Sequence, residues 1–346
     1  SMAAYAGAPV ILVADIHRGG VFAQIVGTLA CLDEVHRRQI QGLIINRFRG
    51  DMDLFKDGVR WIEARTGRPV LGVLPWFNAF SIEAEDAVTI EQPAGNGAVG
   101  AGPCIAVVRL PHIANFTDLD PLMRLEGLRV VYLEKVRDLT PFNAVILPGS
   151  KNTRGDLGWL GVMGWRDAIR DYALGGGHLL GICGGYQMLG RVVHDPDGVE
   201  GVAGSSVGLD LLPVETELKA PKTTTRTRFS WEDNSGEAYE IHMGQTQRLD
   251  SRPLFRVHSR NQMACDDADG CISADGRILG TYLHGIFDAP GIARRWLTHI
   301  GLPQVAVSSL HGPAARDQAY DALAEHARQY LDIEAITRMI EASKSV

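Results

Sequence analysis

Positions 176–190 read GGHLLGICGGYQMLG, and this stretch limits the fold more than any other part of the chain. The apolar run from His178 to Ile182 predicts a buried strand, and Gly185 to Leu189 predicts the first turns of a helix. Cys183 therefore falls on a sharp strand-to-helix turn. Such a turn throws a side chain outward and leaves the following N–H groups free, where a helix N-terminus lowers a thiol's pKa. A free cysteine is more often a small buried hydrophobe. Gly181, Gly184 and Gly185 around the turn favour a nucleophile on an elbow.

A cysteine nucleophile needs a base. His284, in GTYLHGIFD, ends an apolar strand and is followed by Gly285, so its ring can point from a sheet end into a crevice. Sheet ends are where open α/β folds bind ligands. Acyl transfer also needs donors for the developing oxyanion. The loop in ILPGSKNT offers the Gly149 N–H directly after a buried strand, with Gly184 as the second donor. A phosphate-loop reading of that segment fails, because Ser150 separates Gly149 from Lys151 and Val145 stands at the first glycine position.

The 346 residues suffice for two domains, and the net charge of −7 gives no support to a nucleic-acid partner. No apolar run reaches a membrane span, so no membrane association is expected. The five cysteines include no C-x-x-C pair and suggest neither a zinc site nor a disulfide framework, which fits a reducing cytoplasm.

Strands predicted at PVILVAD, GLIINRF and PVLGVLPW alternate with helices and imply a parallel α/β layer over residues 1–90. Residues 91–103, EQPAGNGAVGAGP, read as a linker. A second α/β domain is expected over 104–300, with strands at CIAVVRLP, LRVVYLE, NAVILPG, AYEIHMG and ILGTYLHG and a helix near 165–174. A polar stretch at 219–236 carries no assignment. Residues 301–346 form a C-terminal helical extension whose expected role is packing.

GICGGYQMLG, LPGSKNT and YLHG together resemble the class I glutamine amidotransferases. LPHIANFTDLDPL (110–122), YEIHMGQT (239–246) and VADIHRGGVFAQIVGTL (13–29) are similar to the cobyric acid synthase branch of that family. The resemblance implies a partial dethiobiotin-synthetase-like parallel sheet followed by a flavodoxin-like amidotransferase domain. It implies that Cys183 attacks the glutamine carboxamide, forms a thioester and releases ammonia. Gln187, on the same helical face, would help hold glutamine, and His242 and Gly244 would line the pocket.

Many relatives in the superfamily place a glutamate two residues after the histidine, and here that position is Ile286. Glu240 and Asp288 are candidate orienting acids, spacing decides neither, and a Cys–His dyad is the other expectation. The resemblance further implies ATP and Mg2+ as cofactors of the complete enzyme and a corrinoid substrate, adenosylcobyrinic acid a,c-diamide, whose peripheral carboxylates become amides. No glycine-rich phosphate loop is found in residues 1–90, so this half is expected to be incomplete and the chain is not expected to bind ATP tightly. Asp15 is a candidate magnesium ligand or a strand-end cap. The branch usually reads DIDRGG here, whereas this chain has His17 at the second aspartate. A related amidotransferase with another acceptor (cobyrinic acid a,c-diamide synthase or the cell-wall isoglutaminyl enzyme) and a non-catalytic binding protein are the competing readings. The sequence sets neither the corrinoid-binding residues nor the oligomeric state.

Overall fold

A computed structural model describes residues 2–77, 102–308 and 311–343, so most of the predicted linker lies outside the described residues. The chain divides into two units, Ser1–Ile82 with Arg316–Val346, and Glu83–Ala315. The segment read as a C-terminal extension is therefore shared, and its residues from Arg316 onward belong to the first unit.

The first unit contains α1 (Met2–Ala6), β1 (Val10–Asp15), α2 (Val21–Cys31), α3 (Glu34–Gln39), β2 (Ile40–Phe48), α4 (Met52–Thr66) and β3 (Val70–Pro75). Its three strands form a parallel sheet in the order β1-β2-β3. Leu43 and Ile45 of β2 are fully buried with Ile25 of α2 and Ile62 of α4, the continuous apolar burial expected of a covered parallel sheet. The predicted C-terminal helical region is two helices, Gly312–Tyr330 and Ile333–Ser343. Their junction docks on β3, where the Asp332 N–H donates to the Leu71 carbonyl at 2.7 Å. Gly72 is required there, since a Cβ would lie 2.3 Å from the Tyr330 carbonyl oxygen.

The second unit opens with β4 (Cys104–Val108), β5 (Ile113–Ala114), a 3₁₀ turn at Phe116–Leu119, α5 (Asp120–Met123), β6 (Arg129–Leu133), β7 (Ala144–Leu147) and β8 (Gly149–Ser150). It continues with α6 (Thr153–Val162), α7 (Trp165–Leu174), β9 (Leu179–Ile182) and α8 (Gly184–Leu189). Then come β10 (Val192–Asp195), β11 (Gly204–Val207), β12 (Val214–Trp231), β13 (Asn234–Arg248), β14 (Phe255–Arg260), β15 (Met263–Asp269), β16 (Cys271–Ile272), β17 (Ile278–Thr281), β18 (Leu283–His284) and α9 (Pro290–His299).

Its central sheet runs β16-β17-β9-β7-β4-β6, parallel except for β16 at the edge. Every residue of β4, β7, β9 and β17 is buried, because helices and a second layer cover both faces. On α7, Trp165 and Ile169 are the buried residues, four apart on one face. The polar stretch at 219–236 is the end of β12, a two-residue turn and the start of β13, part of a long hairpin in a second sheet that also holds β10, β11, β14, β15 and β18. Phe229, Phe255, Phe287 and Trp296 join the same core as the central sheet.

Candidate active site

The sharp turn after β9 holds Cys183 at φ 52° and ψ −109°, a conformation that costs a non-glycine residue about 1–3 kcal/mol. Backbone bonds on both sides hold it there. The Cys183 N–H donates to the Thr281 carbonyl at 2.8 Å, and its own carbonyl accepts the Gln187 N–H at 3.1 Å. The glycines let two backbones close on the elbow. A Cβ on Gly185 would lie 1.9 Å from the Leu147 carbonyl oxygen, and one on Gly184 would lie 2.8 Å from the Ser150 nitrogen. The loop after β7 and the start of α8 are thus brought together next to Cys183. Cys183 is 7 % exposed, and its thiol donates to the Ile241 carbonyl at 3.8 Å.

His284 is fully buried at the end of β18. Its Nδ1 bonds to Asp118 Oδ2 at 2.7 Å, and the other Asp118 oxygen accepts the Gly285 N–H at 2.9 Å. The Asn115 amide nitrogen stands 3.2 Å from Nε2, and the Tyr239 ring stacks on the imidazole at a centroid distance of 5.1 Å. Burial disfavours a charge on the ring, but the Asp118 carboxylate and then Cys183 outweigh it and push the pKa up to about 10. Asp118 itself is buried, on the 3₁₀ turn that follows β5. The two-strand ribbon β5–β8 sets Ala114 opposite Gly149, so this turn and the Gly149 loop are built on one piece of backbone.

The orienting position at Nδ1 is thus filled by Asp118, which the sequence reading did not single out. Glu240 is occupied elsewhere. It accepts from Thr227 Oγ1 and Arg260 Nε, each at 2.9 Å, and lies 3.4 Å from His242 Nε2. Burial raises its pKa, but the bonds from His242, Arg260 and Thr227 hold it down at about 2. Asp288 is half-buried beyond Gly285 and donates its N–H to the Gly285 carbonyl at 3.0 Å. The only signal for Asp118 was its place within NFTDLDPL, a stretch already singled out for its resemblance.

Gln187 is buried, and its amide is already engaged. The oxygen accepts from Thr153 Oγ1 at 2.8 Å and the nitrogen donates to Tyr282 Oη at 3.2 Å. Both ends of the side chain are therefore fixed by neighbouring hydroxyls. Gly244 faces the same amide, and a Cβ there would fall 2.1 Å from Gln187 Nε2. His242 stacks on Tyr282 at 3.8 Å, with Nδ1 on the Gly244 carbonyl at 2.8 Å. Buried Asp269 anchors the strand leading to His284, accepting from the Thr281 hydroxyl and from the Tyr282 N–H. Desolvation, only partly offset by those bonds, pushes its pKa up to about 6.

In the first unit, Asp15 Oδ2 pairs with Arg47 Nη1 at 3.2 Å and Oδ1 accepts the His17 N–H at 2.8 Å. Among the described residues no group of three His, Cys, Asp or Glu side chains converges on a metal-sized site. A carboxylate already shared between a guanidinium and a backbone N–H does not fit a magnesium ligand. Among the described residues no helix is long and apolar enough to cross a membrane.

A family profile described as a CobB/CobQ-like glutamine amidotransferase domain matches residues 104–292, and an AAA domain profile matches residues 1–83. The cobyric acid synthase of Chlorobium phaeobacteroides (strain DSM 266) is 47% identical over 340 residues, covering 97% of this chain and 67% of that protein. That of Chlorobaculum tepidum is 47% identical over 341 residues, covering 96% and 66%, and that of Chloroflexus aurantiacus 45% over 345 residues, covering 98% and 68%. The chain thus spans about two thirds of the length of these relatives. With nearly its whole length aligned to them and an amidotransferase profile over its second unit, the chain belongs to the cobyric acid synthase family of glutamine amidotransferases.

Proposed function

We propose that the second unit hydrolyses glutamine at Cys183 and supplies the ammonia for amidation of peripheral carboxylates of adenosylcobyrinic acid a,c-diamide, giving adenosylcobyric acid. The observation that carries the glutaminase reading is the buried His284, held by Asp118 beside a cysteine on a strained elbow. His284 takes the proton of the Cys183 thiol at Nε2. The thiolate attacks the carboxamide carbon, and the C–N bond breaks as Nε2–H gives its proton to the leaving nitrogen. Water then attacks the thioester as His284 accepts its proton, the C–S bond breaks to release glutamate, and His284 returns that proton to the Cys183 thiolate.

The N–H groups of Gly149 and Gly184 are the oxyanion donors in this reading, and Gln187, His242 and Gly244 shape the glutamine pocket. Asp118 orients the imidazole and stabilises its charge, a place the sequence left open between Glu240, Asp288 and a dyad with no acid. A thiolate nucleophile suits a reducing compartment such as the cytoplasm. In this family ATP with Mg2+ activates the acceptor carboxylate. Asp15 does not fit the metal, and we propose that residues 1–83 as given hold magnesium–ATP weakly.

The test is covalent capture. A diazoketone analogue of glutamine should add one label per chain, on the Cys183 peptide by mass spectrometry, and glutamine should protect. Labelling elsewhere, or glutaminase activity retained in Cys183→Ser, would overturn the proposal.

A further inference from the structure

The nucleophile and the base belong to different sheets. β17 lies in the central sheet beside β9, with Thr281 opposite Ile182, and the Thr281 carbonyl takes the Cys183 N–H at 2.8 Å. β18 pairs instead with β13 in the second sheet, with His284 opposite Tyr239. Sheet bonds thus fix Thr281 against the elbow, but the step from Thr281 to His284 runs through a corner at Tyr282, between the two strands. A buried N–H there needs a partner outside the ladders. That partner is Asp269, 4 % exposed, whose Oδ1 accepts the Tyr282 N–H at 3.3 Å. Its Oδ2 accepts the Thr281 hydroxyl, which in turn accepts the Leu283 N–H at 3.0 Å. Gly270 seats this carboxylate on β17, since a Cβ there would lie 2.2 Å from the Gly280 carbonyl oxygen.

Resting on the glutaminase reading above, we infer that Asp269 is a positioning residue for glutamine hydrolysis, its carboxylate clamping the Thr281–Tyr282 corner so that the His284 ring meets the Cys183 side chain. Both of its neighbours are donors. The Tyr282 N–H can only donate, and the Thr281 hydroxyl, already accepting from Leu283, turns its proton to the carboxylate. A neutral acid or an amide would bring a proton of its own against one of them, and that contact would open. The Tyr282 ring is held separately, stacked on His242 at 3.8 Å and edge-on to Tyr186 at 5.3 Å. Opening the corner therefore moves the base more than the residues around Gln187. The titratable and charged groups facing the carboxylate are Glu240 and His242 on β13, Tyr186 on α8 and Tyr282 itself, with Arg248 on the adjacent Gly270 carbonyl. Desolvation outweighs the bonds to Asp269 and pushes its pKa up to about 6, so the clamp is closed at neutral pH and opens in mild acid.

The test is Asp269→Asn. In the folded variant kcat should fall about 10- to 100-fold with KM changed less than about threefold, the loss expected of a base misplaced by about an ångström. Cys183 alkylation by iodoacetamide, followed by peptide mass apart from the exposed Cys31 and Cys265, should slow about three- to tenfold at neutral pH, the range set by one lost hydrogen bond. The ratio of parent to variant alkylation should shrink toward one as pH falls through about 6, where the parent loses the charge that the variant lacks. A carboxylate that serves stability alone would leave kcat and alkylation of the folded variant at parental values, and that result, or a ratio independent of pH, would overturn the inference. If Asp269→Asn does not fold, Thr281→Val keeps the shape, removes the hydroxyl link and should show the same two losses; parental kcat and alkylation there would overturn it equally. Alkylation needs no glutamine. If Cys183→Ser still hydrolysed glutamine, the glutaminase proposal would fall, yet the alkylation ratio would still decide whether Asp269 sets the Cys183–His284 pair.

Discussion

Replacing Asp118 by asparagine changes the volume little and the electrostatics greatly. In the native site one carboxylate oxygen accepts from His284 Nδ1 at 2.7 Å and the other from the Gly285 N–H at 2.9 Å. An asparagine has only one acceptor oxygen. If it stays on Gly285, the amide NH2 faces Nδ1 and forces the imidazole into the tautomer protonated on Nε2. That tautomer cannot accept a proton from Cys183. In the serine protease template the corresponding change costs about 10⁴ in kcat, and a positioned base contributes about 10²–10⁴. Asp118→Asn should therefore lower kcat for glutamine hydrolysis by about 10²–10⁴, with KM changed less than about threefold, since Asp118 bonds to His284 and Gly285 and not to the residues proposed to line the glutamine pocket. Glutamate release in a coupled assay measures both.

The same substitution has a signature in stability. The His284 pKa stands at about 10 against an ordinary 6.5. At about 1.4 kcal/mol per pH unit, Asp118 and, after it, Cys183 together contribute an upper bound on the order of 5 kcal/mol. The folded pKa lies above the unfolded one, so the contribution is fully present below pH 6.5 and is lost as pH rises through about 10. The stability gap between the parent and Asp118→Asn should accordingly narrow across that window in urea titrations. A folded Asp118→Asn with kcat within about threefold of the parent would refute the triad, and a gap independent of pH would refute the electrostatic account.

Cys183→Ala should abolish glutamine hydrolysis, and His284→Ala should come close to it at about 10²–10⁴ below the parent, whereas Asp288→Asn should be mild; steady-state assays on the three variants decide this. Gly244→Ala places a methyl 2.1 Å from Gln187 Nε2 and 2.7 Å from Tyr282 Oη, so KM for glutamine should rise and stability fall by about 1–3 kcal/mol, read by kinetics and urea denaturation. Glu240→Gln should leave kcat within about threefold while lowering the melting temperature, because buried Glu240 loses its ionic bond to Arg260, which keeps only Asp267 as a charged partner. Glu240 has a depressed pKa, so the stability it contributes is present above 4.5 and lost as pH falls toward 2; the variant should lack that acid-side loss.

The elements of both parallel sheets were legible because apolar runs bounded by glycine and proline are a local signal, and β4, β7 and β9 are uniformly buried as that signal implies. The elbow was legible for the same reason: strand, cysteine and glycines are contiguous. The polar hairpin was not. The middle of β12, from Lys219 to Thr224, is exposed, so no alternation marks it, and its turn at Glu232–Asp233 lacks the glycine that usually announces a two-residue loop. Asp118 was hidden by distance along the chain, 166 residues from His284. Spacing rules look for an acid near the histidine, which directs attention to Glu240 and Asp288. Nothing local separates Asp118 from Asp120 two residues later; only folding buries the first against the imidazole and leaves the second half-exposed.

That hidden contact follows from the order of the central sheet. Four adjacent parallel strands, β17, β9, β7 and β4, each deliver one part of the site just beyond their C-terminal ends. β17 leads to His284, β9 to Cys183, β7 to Gly149, and β4 to Asn115 and Asp118. Cys183 and His284 come from neighbouring strands, so their relation is fixed directly by sheet hydrogen bonds. The segment carrying Asn115 and Asp118 starts three strands away from His284 and must be carried across the crevice. The β5–β8 ribbon does this, pairing the loop after β4 with the loop after β7. Fully buried Asp156 ties its two arms, accepting from Ser150 Oγ at 2.6 Å on one and bonding His112 Nδ1 at 2.8 Å on the other. Asp118, the carboxylate that does most to hold a charge on His284, thus sits on a tether whose stiffness comes from one ribbon and one carboxylate. A shift of that tether by about an ångström would move Asn115 and Asp118 relative to both ring nitrogens while leaving the Cys183 elbow in place, and a misplacement of that size can cost about 10²-fold in rate.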